Sequence, residues 1–358
     1  MFIQRIELKD FRSYKDFKLD FTKDIVGIIG ENTAGKTSIL EAIEILSRGK
    51  SSRTSLDSDV VRTKANFSSL NLKVTNDQDL DLFYIIEKDE YGRSKKTYKV
   101  NGVSKSLRNF SGNLTSVLFT PEDIRLILGS PGRRRDYLDS IFFQFDKAYK
   151  KILSSYNRSL KQINALLRLI QENRAQVSDL DVWLDNLILT GNVITKMRTE
   201  FFDEIGEFIE KSAVVLSSGW EMKIKYIPSI ISKKKIEENM YKILASKHML
   251  YGPHRDDYEF EVNINGNGEF LPLRDFGSRG QQRIGALMFK LAELEYIAVK
   301  TNIRPVLLLD DVFSELDDIR RKKVLDYSNK QQTIITTTDA KNLEYFDDFQ
   351  EVLLNKPL

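Results

Sequence analysis

The chain has 358 residues, with 55 Lys and Arg against 52 Asp and Glu for a formal charge of +3. That length accommodates about two or three domains around a large core. The absence of cysteine excludes a disulfide framework and a thiolate metal site, and the presence of only His248 and His254 argues against a histidine-built metal centre. The near-neutral balance excludes a general polycation, so any nucleic-acid surface must be a local patch. No apolar run approaches the roughly 18 residues of a membrane span. Met1-Phe2-Ile3-Gln4-Arg5 reads as the start of a strand and not as a signal peptide, so the expectation is a cytoplasmic protein without a membrane partner.

In chain order, residues 2–8 and 17–21 alternate like strands, with a polar turn at Asp10-Phe11-Arg12-Ser13-Tyr14 between them. Residues 25–29 are apolar and β-branched, a buried strand. Gly30-Glu31-Asn32-Thr33-Ala34-Gly35-Lys36-Thr37 follows directly and fits G-x-x-x-x-G-K-[ST]. A helix opening at Ser38 comes next, with Ile39, Ile43 and Leu46 at helical spacing. Strand, glycine loop and helix together make a phosphate cradle. The glycines let backbone N–H groups turn inward at a helix N-terminus, where the dipole favours negative charge. Lys36 would reach the β- and γ-phosphates of ATP, and the Thr37 hydroxyl would hold Mg²⁺. The plain alternative, an incidental glycine turn, leaves the matching flanks unexplained.

The first helix ends near Ser47-Arg48-Gly49-Lys50, and 50–66 is a charged, serine-rich loop. Residues 67–119 read as strands, among them 80–86 paired with the strand after it. Asn101-Gly102 signals a two-residue hairpin, and 116–119 is a buried strand. At Thr120-Pro121-Glu122-Asp123 the texture changes to a capped helix start. From there to about 215 nearly everything is helix-periodic, interrupted around 175–180. Ile152, Tyr156, Leu160, Ile163, Leu166, Leu167 and Ile170 form an apolar stripe, the packing face of an antiparallel pair or small bundle and not of a long coiled-coil arm. The helical part ends near Ser217-Ser218-Gly219. Residues 220–227 alternate like a strand, 236–247 form a short helix, and strand texture returns at 257–264. The pattern predicts an α/β fold in which parts 1–120 and 248–358 form one P-loop lobe, interrupted by a mainly helical domain at 121–247.

Pro305-Val306-Leu307-Leu308-Leu309-Asp310-Asp311 is an apolar strand ending in two carboxylates. A strand tip beside the phosphate loop is where Asp310 would ligate Mg²⁺, and Asp311 would orient the attacking water as a general base or else cap the following turn. Ser314-Glu315-Leu316-Asp317, a helix from about 318 to 327, and a buried strand at 333–338 follow. Upstream, Phe276-Gly277-Ser278-Arg279-Gly280-Gln281-Gln282-Arg283 opens a helix whose apolar face is Ile284, Leu287, Met288 and Leu291. It is a second hydroxyl-and-glycine helix start in one chain. Two subunits packed head to tail would use both, each tip covering the γ-phosphate held by its partner; otherwise Ser278 is an ordinary N-cap.

Taken together, these motifs resemble the ABC-type ATPases, within them the SMC-like DNA-repair branch and its bacterial recombination mediators. The likeness runs over the full length: Phe11-Arg12-Ser13-Tyr14, the phosphate loop, the signature Ser278-Arg279-Gly280-Gln281-Gln282, Leu309-Asp310-Asp311 and Ser314-Glu315-Leu316-Asp317. Phe119-Thr120-Pro121-Glu122-Asp123, Pro131-Gly132-Arg133-Arg134-Arg135 and Tyr251-Gly252-Pro253-His254-Arg255-Asp256-Asp257 extend it. The resemblance implies an ATP-dependent homodimer that binds gapped or junction DNA, hydrolyses ATP slowly with DNA stimulation, and acts with RecR and RecO in loading RecA. It implies that Arg12 and Asn32 contact the γ-phosphate region, with Glu31, Thr33, Ala34 and Ser38 completing the ATP site. Ser278 and Gly280 would reach the partner's ATP, and Asp317 would lie in the dimer contact. Thr33 stands where this branch usually has glycine, Asp311 where most ABC ATPases have Glu, and Thr338 where many have a switch histidine. No glutamine occupies the linking-loop position after Phe119, and Glu122 is the candidate there.

Between Pro131 and Ala175 there are ten Lys and Arg against four acids, including Arg133, Arg134 and Arg135. This stretch reads either as a phosphate-tracking surface or as a solvated helical face. Two rival functions remain. The ATPase subunit of a membrane transporter predicts a much shorter interval than the one from Lys36 to Ser278. A P-loop regulatory protein would make no DNA contact.

Overall fold

The structure is a computed structural model. It describes residues 1–355 except Ser55, Asp77, Glu90, Gly92, Ser217, Ser218 and Asn265, and, of Val215, Ser314 and Glu315, the backbone. The expected end of the helical part at Ser217-Ser218 therefore lies outside the described residues.

The first lobe contains β1 (Phe2–Phe11), β2 (Tyr14–Asp20), β3 (Ile25–Ile29), α1 (Lys36–Arg48), β4 (Phe67–Thr75), β5 (Asp79–Lys88), β6 (Ser94–Val100), β7 (Val103–Lys105), α2 (Leu107–Phe110) and β8 (Ser116–Phe119). Helices dominate next: α3 (Arg125–Leu128), α4 (Pro131–Phe145), α5 (Lys147–Gln171) and α6 (Asp181–Leu216). Then come β9 (Glu221–Ile227), α7 (Lys233–Glu238), α8 (Met240–Ser246), β10 (Asp257–Asn263), β11 (Leu271–Pro272), α9 (Leu273–Phe276) and α10 (Arg279–Thr301). The chain closes with β12 (Val306–Asp310), α11 (Asp318–Ser328), β13 (Thr333–Thr337) and β14 (Gln350–Leu353).

Among the described residues the strands form three sheets. An antiparallel sheet runs β2-β1-β4-β5-β6-β7, a parallel one β14-β3-β13-β12-β8, and a small antiparallel one β11-β10-β9. The hairpin read from Asn101-Gly102 is present: Val100 pairs with Val103, and both turn residues have positive φ, 49° and 76°, as a type I′ turn requires. The turn at residues 10–14 is shorter than its polarity suggests. Phe11 is fully buried and belongs to β1, leaving Arg12 and Ser13 as the loop.

Successive residues of a strand face opposite ways, and the parallel sheet uses this to divide two cores. Val26, Ile28, Leu118, Val306, Leu308 and Ile334 face α1 and the antiparallel sheet. Ile25, Ile29, Val117, Phe119, Leu307, Leu309 and Ile335 face the helices and α10. Between the two sheets, every residue of α1 except Thr37 is buried, including Glu41, Glu44 and Arg48. Covered on both faces, the inner strands β3, β12, β13 and β8 are buried throughout and mostly apolar.

α5 and α6 form the expected antiparallel pair, but α6 has 36 residues, about 54 Å. The continuous helix expected at 236–247 is instead α7 and α8, broken at Asn239. A boundary is expected at residue 247. β9 pairs with β10 from Glu221↔Asn263 to Ile227↔Asp257, so one hydrogen-bonded sheet crosses it.

Lys150 opens α5 in a buried position, where its ammonium donates to the carbonyls of Ser111 (2.7 Å) and Arg108 (3.4 Å). Burial lowers its pKa from 10.5 to about 8. Between these values the unfolded chain binds a proton that the folded chain does not, so stability from this group rises with pH across that window and is lost as pH falls. Lys150→Met removes the titration. Melting curves of both proteins from pH 8 to 10 should show the wild type gaining on the variant as pH rises.

Candidate functional site

The parallel sheet aligns three strand tips. Asp310 on β12 pairs with Thr336 on β13, and Thr337 pairs with Ile29 at the end of β3. Ligands of open parallel sheets bind at these carboxyl ends. The phosphate loop leaves β3 here, tied by the Gly30 N–H to the Thr337 carbonyl (3.2 Å). A Cβ on Gly30 would stand 3.0 Å from the Leu354 carbonyl oxygen. Gly35 has φ +94°, and a Cβ there would meet the Tyr14 hydroxyl at 2.5 Å. Tyr14 lies buried under the loop, its own pKa raised to about 12 by that burial.

Glu31, Asn32 and Thr33 are exposed, while Ala34, Lys36 and Ser38 are buried. The Ser38 N–H donates to the Gly35 carbonyl (2.9 Å). The Lys36 ammonium donates to the carbonyls of Gly30 (2.7 Å) and Glu31 (3.0 Å), on its own loop. Thr33 has φ +73°, a left-handed geometry that costs a β-branched residue about 1–2 kcal/mol. The glycine usual at this place is explained, and this chain carries the strain.

Thr37 and Asp310, 273 residues apart, meet: the Thr37 hydroxyl donates to Asp310 Oδ1 at 3.0 Å. Thr336 donates to the same oxygen at 2.7 Å. Asp310 is nearly enclosed, and burial raises its pKa against the opposing pull of the two hydroxyls. A hydroxyl and a carboxylate are hard oxygen donors suited to Mg²⁺. Two protein oxygens are too few for an all-protein cage and fit an ion held jointly with substrate phosphates. Asp311 has φ 51°, its N–H donating to the Thr336 carbonyl (3.2 Å) and hydroxyl (3.1 Å). It precedes the turn Val312–Glu315 without capping it through its side chain. Thr338 is exposed; the hydroxyl that meets the site is that of Thr336, two residues earlier.

Glu41, fully buried on α1, binds Arg12 through both oxygens (Nη2, 2.5 Å; Nε, 3.0 Å), Arg53 (3.0 Å) and Ser51 (2.6 Å). The Arg53 charge also favours the ionised form of Asp310. Arg12 is thus anchored on Glu41 and on the Asp59 carbonyl (2.8 Å). Arg53 and Glu41 are the site residues that sequence reasoning passed over. The available signal was a glutamate on the α1 face that packs inward, beside a loop carrying an arginine.

At the signature, Ser278 caps α10, accepting from the Gln281 N–H (3.3 Å) while the Gln281 amide oxygen accepts from the Ser278 N–H (2.8 Å). Ser278, Arg279 and Gly280 are exposed, and a Cβ on Gly280 would meet only open space and Ser278 Oγ at 3.9 Å. Gln282 has a different role from its neighbours. Its buried amide donates to the carbonyls of Leu273, Arg274 and Gly277, so it holds the preceding turn. Asp317 caps α11 by accepting from the Arg320 N–H (2.8 Å) and pairs with the Arg320 side chain. Gly280 and Asp317 share one cleft with Thr120, Pro121, Asp123 and Leu316, and no phosphate-loop residue lines it. The side chains of Ser314 and Glu315, which belong to the same motif as Asp317, lie outside the described residues. Glu122 points outward to Arg125 (2.5 Å). The inward acid of that segment is Asp123, whose pKa burial raises while Lys290 and the Thr120 N–H oppose.

The three arginines of the Arg133-Arg134-Arg135 cluster do not share the same surroundings. Arg134 is 5% exposed and forms a two-pronged ion pair with Asp257, both bonds 2.7 Å, so its guanidinium is unavailable to phosphate. Arg135 donates to the Asp256 carbonyl (2.8 Å). The loop Tyr251-Gly252-Pro253-His254-Arg255-Asp256-Asp257 thereby gains a role as a clasp. Asp256 is buried with Arg198 (2.8 Å), Tyr226 and the Ser229 N–H (2.7 Å). His254 bonds Tyr156 (2.6 Å), its pKa held at about 4 by burial.

A β-strand, phosphate loop and helix joined to a strand-tip aspartate, with a serine-glycine signature helix, define an ABC-type ATPase head. The profile of the RecF/RecN/SMC N-terminal domain matches residues 2–357, and the chain belongs to that family, within it to the RecF proteins. The DNA replication and repair protein RecF of Acetivibrio thermocellus is 38% identical over 96% of this chain and 95% of its own length. That of Shouchella clausii is 35% identical over 96% and 94%. A solved structure described as the recombination mediator protein RecF-ATP in the RecFOR pathway superposes with TM-score 0.88 at 31% identity, covering 99% of this chain and 96% of that one. An Smc head domain from Pyrococcus yayanosii, TM-score 0.57 at 15% identity over 100% and 96%, shares the fold alone.

Arg134→Ala leaves Asp257 without its partner and should cost about 3 kcal/mol in urea unfolding. Arg133→Ala should stay within about 0.5 kcal/mol. Equal effects would reverse the distinction between them.

Proposed function

We propose that this chain is an ATP-gated DNA clamp of recombinational repair and replication restart. It dimerises on ATP, engages gapped or junction DNA, and acts with RecR and RecO in loading RecA. The observation that carries the nucleotide half is the hydrogen bond between Thr37 and Asp310 at the end of the phosphate loop. Lys36 binds the β- and γ-phosphates, Thr37 and Asp310 hold Mg²⁺, and Asp311 orients water. Aspartate is shorter than the usual glutamate, which suits slow hydrolysis stimulated by DNA. The names of the relatives and the RecFOR pathway of the ATP-bound neighbour support the repair assignment. A cytoplasmic location fits these roles.

Dimerisation is supported by the signature tip. Ser278 and Gly280 are exposed, and Gly280 lines a cleft with Asp317 that contains no residue of their own phosphate loop. A second copy supplies what that tip lacks, an ATP to cover. The long interval from Lys36 to Ser278 disfavours the transporter reading.

Sedimentation without nucleotide, with ADP and with ATP tests the proposal: only ATP should give a dimer. Lys36→Ala should lose ATP binding. Ser278→Arg should keep ATP binding and stay monomeric. A wild type that remains monomeric when saturated with ATP would overturn the clamp.

A further inference from the structure

α5 runs 25 residues with six cations and no acid. Lys150 is the buried one. Lys147, Lys151, Arg158, Lys161 and Arg168 are exposed, and at 3.6 residues per turn they fall within about 100° of the helix circumference along about 32 Å. The opposite face is apolar: Leu153, Ile163 and Leu167 are buried in the core. No ion pair or side-chain hydrogen bond of these five cations occurs among the described residues. The protein as a whole carries only +3, so this is a concentration of unpaired charge on one rigid face. The nearest acids along the chain are Asp146, which caps α5 through the Tyr149 N–H, and Glu172, which pairs with Arg174.

We infer that this face of α5 is a docking surface for the phosphate backbone of double-stranded DNA. The inference rests on the DNA-binding reading above and gives it a location, in place of the arginine cluster at the start of α4. Two features select a duplex. A straight row of fixed cations suits a stiff polyanion whose helical turn is about 34 Å, close to the length of the row. The aromatic residues of α5, Tyr149 and Tyr156, are both buried, so the face offers no platform on which single-stranded bases could stack. A membrane surface is disfavoured because this face carries no exposed large apolar residue to insert.

The test is the salt dependence of binding to a blunt 30-base-pair duplex by full-length protein with ATP. Arg158→Gln with Lys161→Gln should weaken binding roughly tenfold or more at 0.1 M salt. It should also make the slope of log K against log salt shallower by about 2, since each phosphate contact contributes about 0.9. Lys73→Gln with Lys95→Gln, the same charge change on the outer face of the antiparallel sheet, should leave both unchanged. ATP-dependent dimerisation and the melting temperature of the α5 variant should match the wild type. The inference is overturned if the α5 variant keeps wild-type affinity and slope, or if the control pair loses as much. It is equally overturned if the α5 substitutions abolish binding to phosphatidylserine vesicles and spare the duplex. A wild type that binds no DNA at all would instead overturn the function proposed above.

Discussion

One oxygen of Asp310 accepts hydrogen bonds from Thr37 and Thr336, and the geometry of the site follows from that junction. A buried carboxylate is costly unless hydrogen-bonded, so the hydroxyls stabilise the group that the site needs ionised. The junction exists only because β3, β13 and β12 are parallel neighbours whose tips end at one level. A shift of one residue in either pairing would turn the carboxylate into an apolar core.

A second set of buried charges fixes α1 to the rest of the head. Arg48 at the end of α1 reaches Glu293 on α10 (3.1 Å) and Ser140 on α4 (2.9 Å). Tyr137 bonds Glu293, and Lys290 bonds Tyr137 (2.5 Å) and lies 3.8 Å from Asp123. The helix that opens at the phosphate loop and the helix that opens at the signature are therefore joined through charged groups enclosed on all sides. Such groups are strongly destabilising when left unpaired, so the two helices are constrained to keep their relation. Glu41 does the same on the other side of α1, holding Arg12 and Arg53. Farther out, Asp256 and Arg198 clasp the helical part to the β9–β10 sheet.

Much of the site was legible in the chain. Gly35 needs positive φ, Lys36 must follow it, and Thr37 must open a helix, all set by local backbone chemistry within eight residues. Asp310 was legible because an apolar parallel strand has to end in something polar at the ligand-binding edge. The Asn101-Gly102 turn was legible for the same local reason. Where local reasoning failed, distant partners decided. Arg134 looks like a surface cation until Asp257, 123 residues away, encloses it. Gln282 shares a motif with Ser278 and yet faces the opposite way. Glu122 and Asp123 are adjacent acids, and packing against Lys290 turned the second inward.

The sequence by itself determined most of the elements, the phosphate loop, the strand-tip acid and the family, because each rests on short-range periodicity or on residues within one turn or strand. Only the tertiary structure decided which charges are enclosed and which face solvent. That choice depends on partners brought together across the sheets, and a one-dimensional pattern does not contain their distances. α5 shows both halves. Its acid-free composition is plain in the letters, but that Lys150 is buried while five other cations share an open face follows from packing alone.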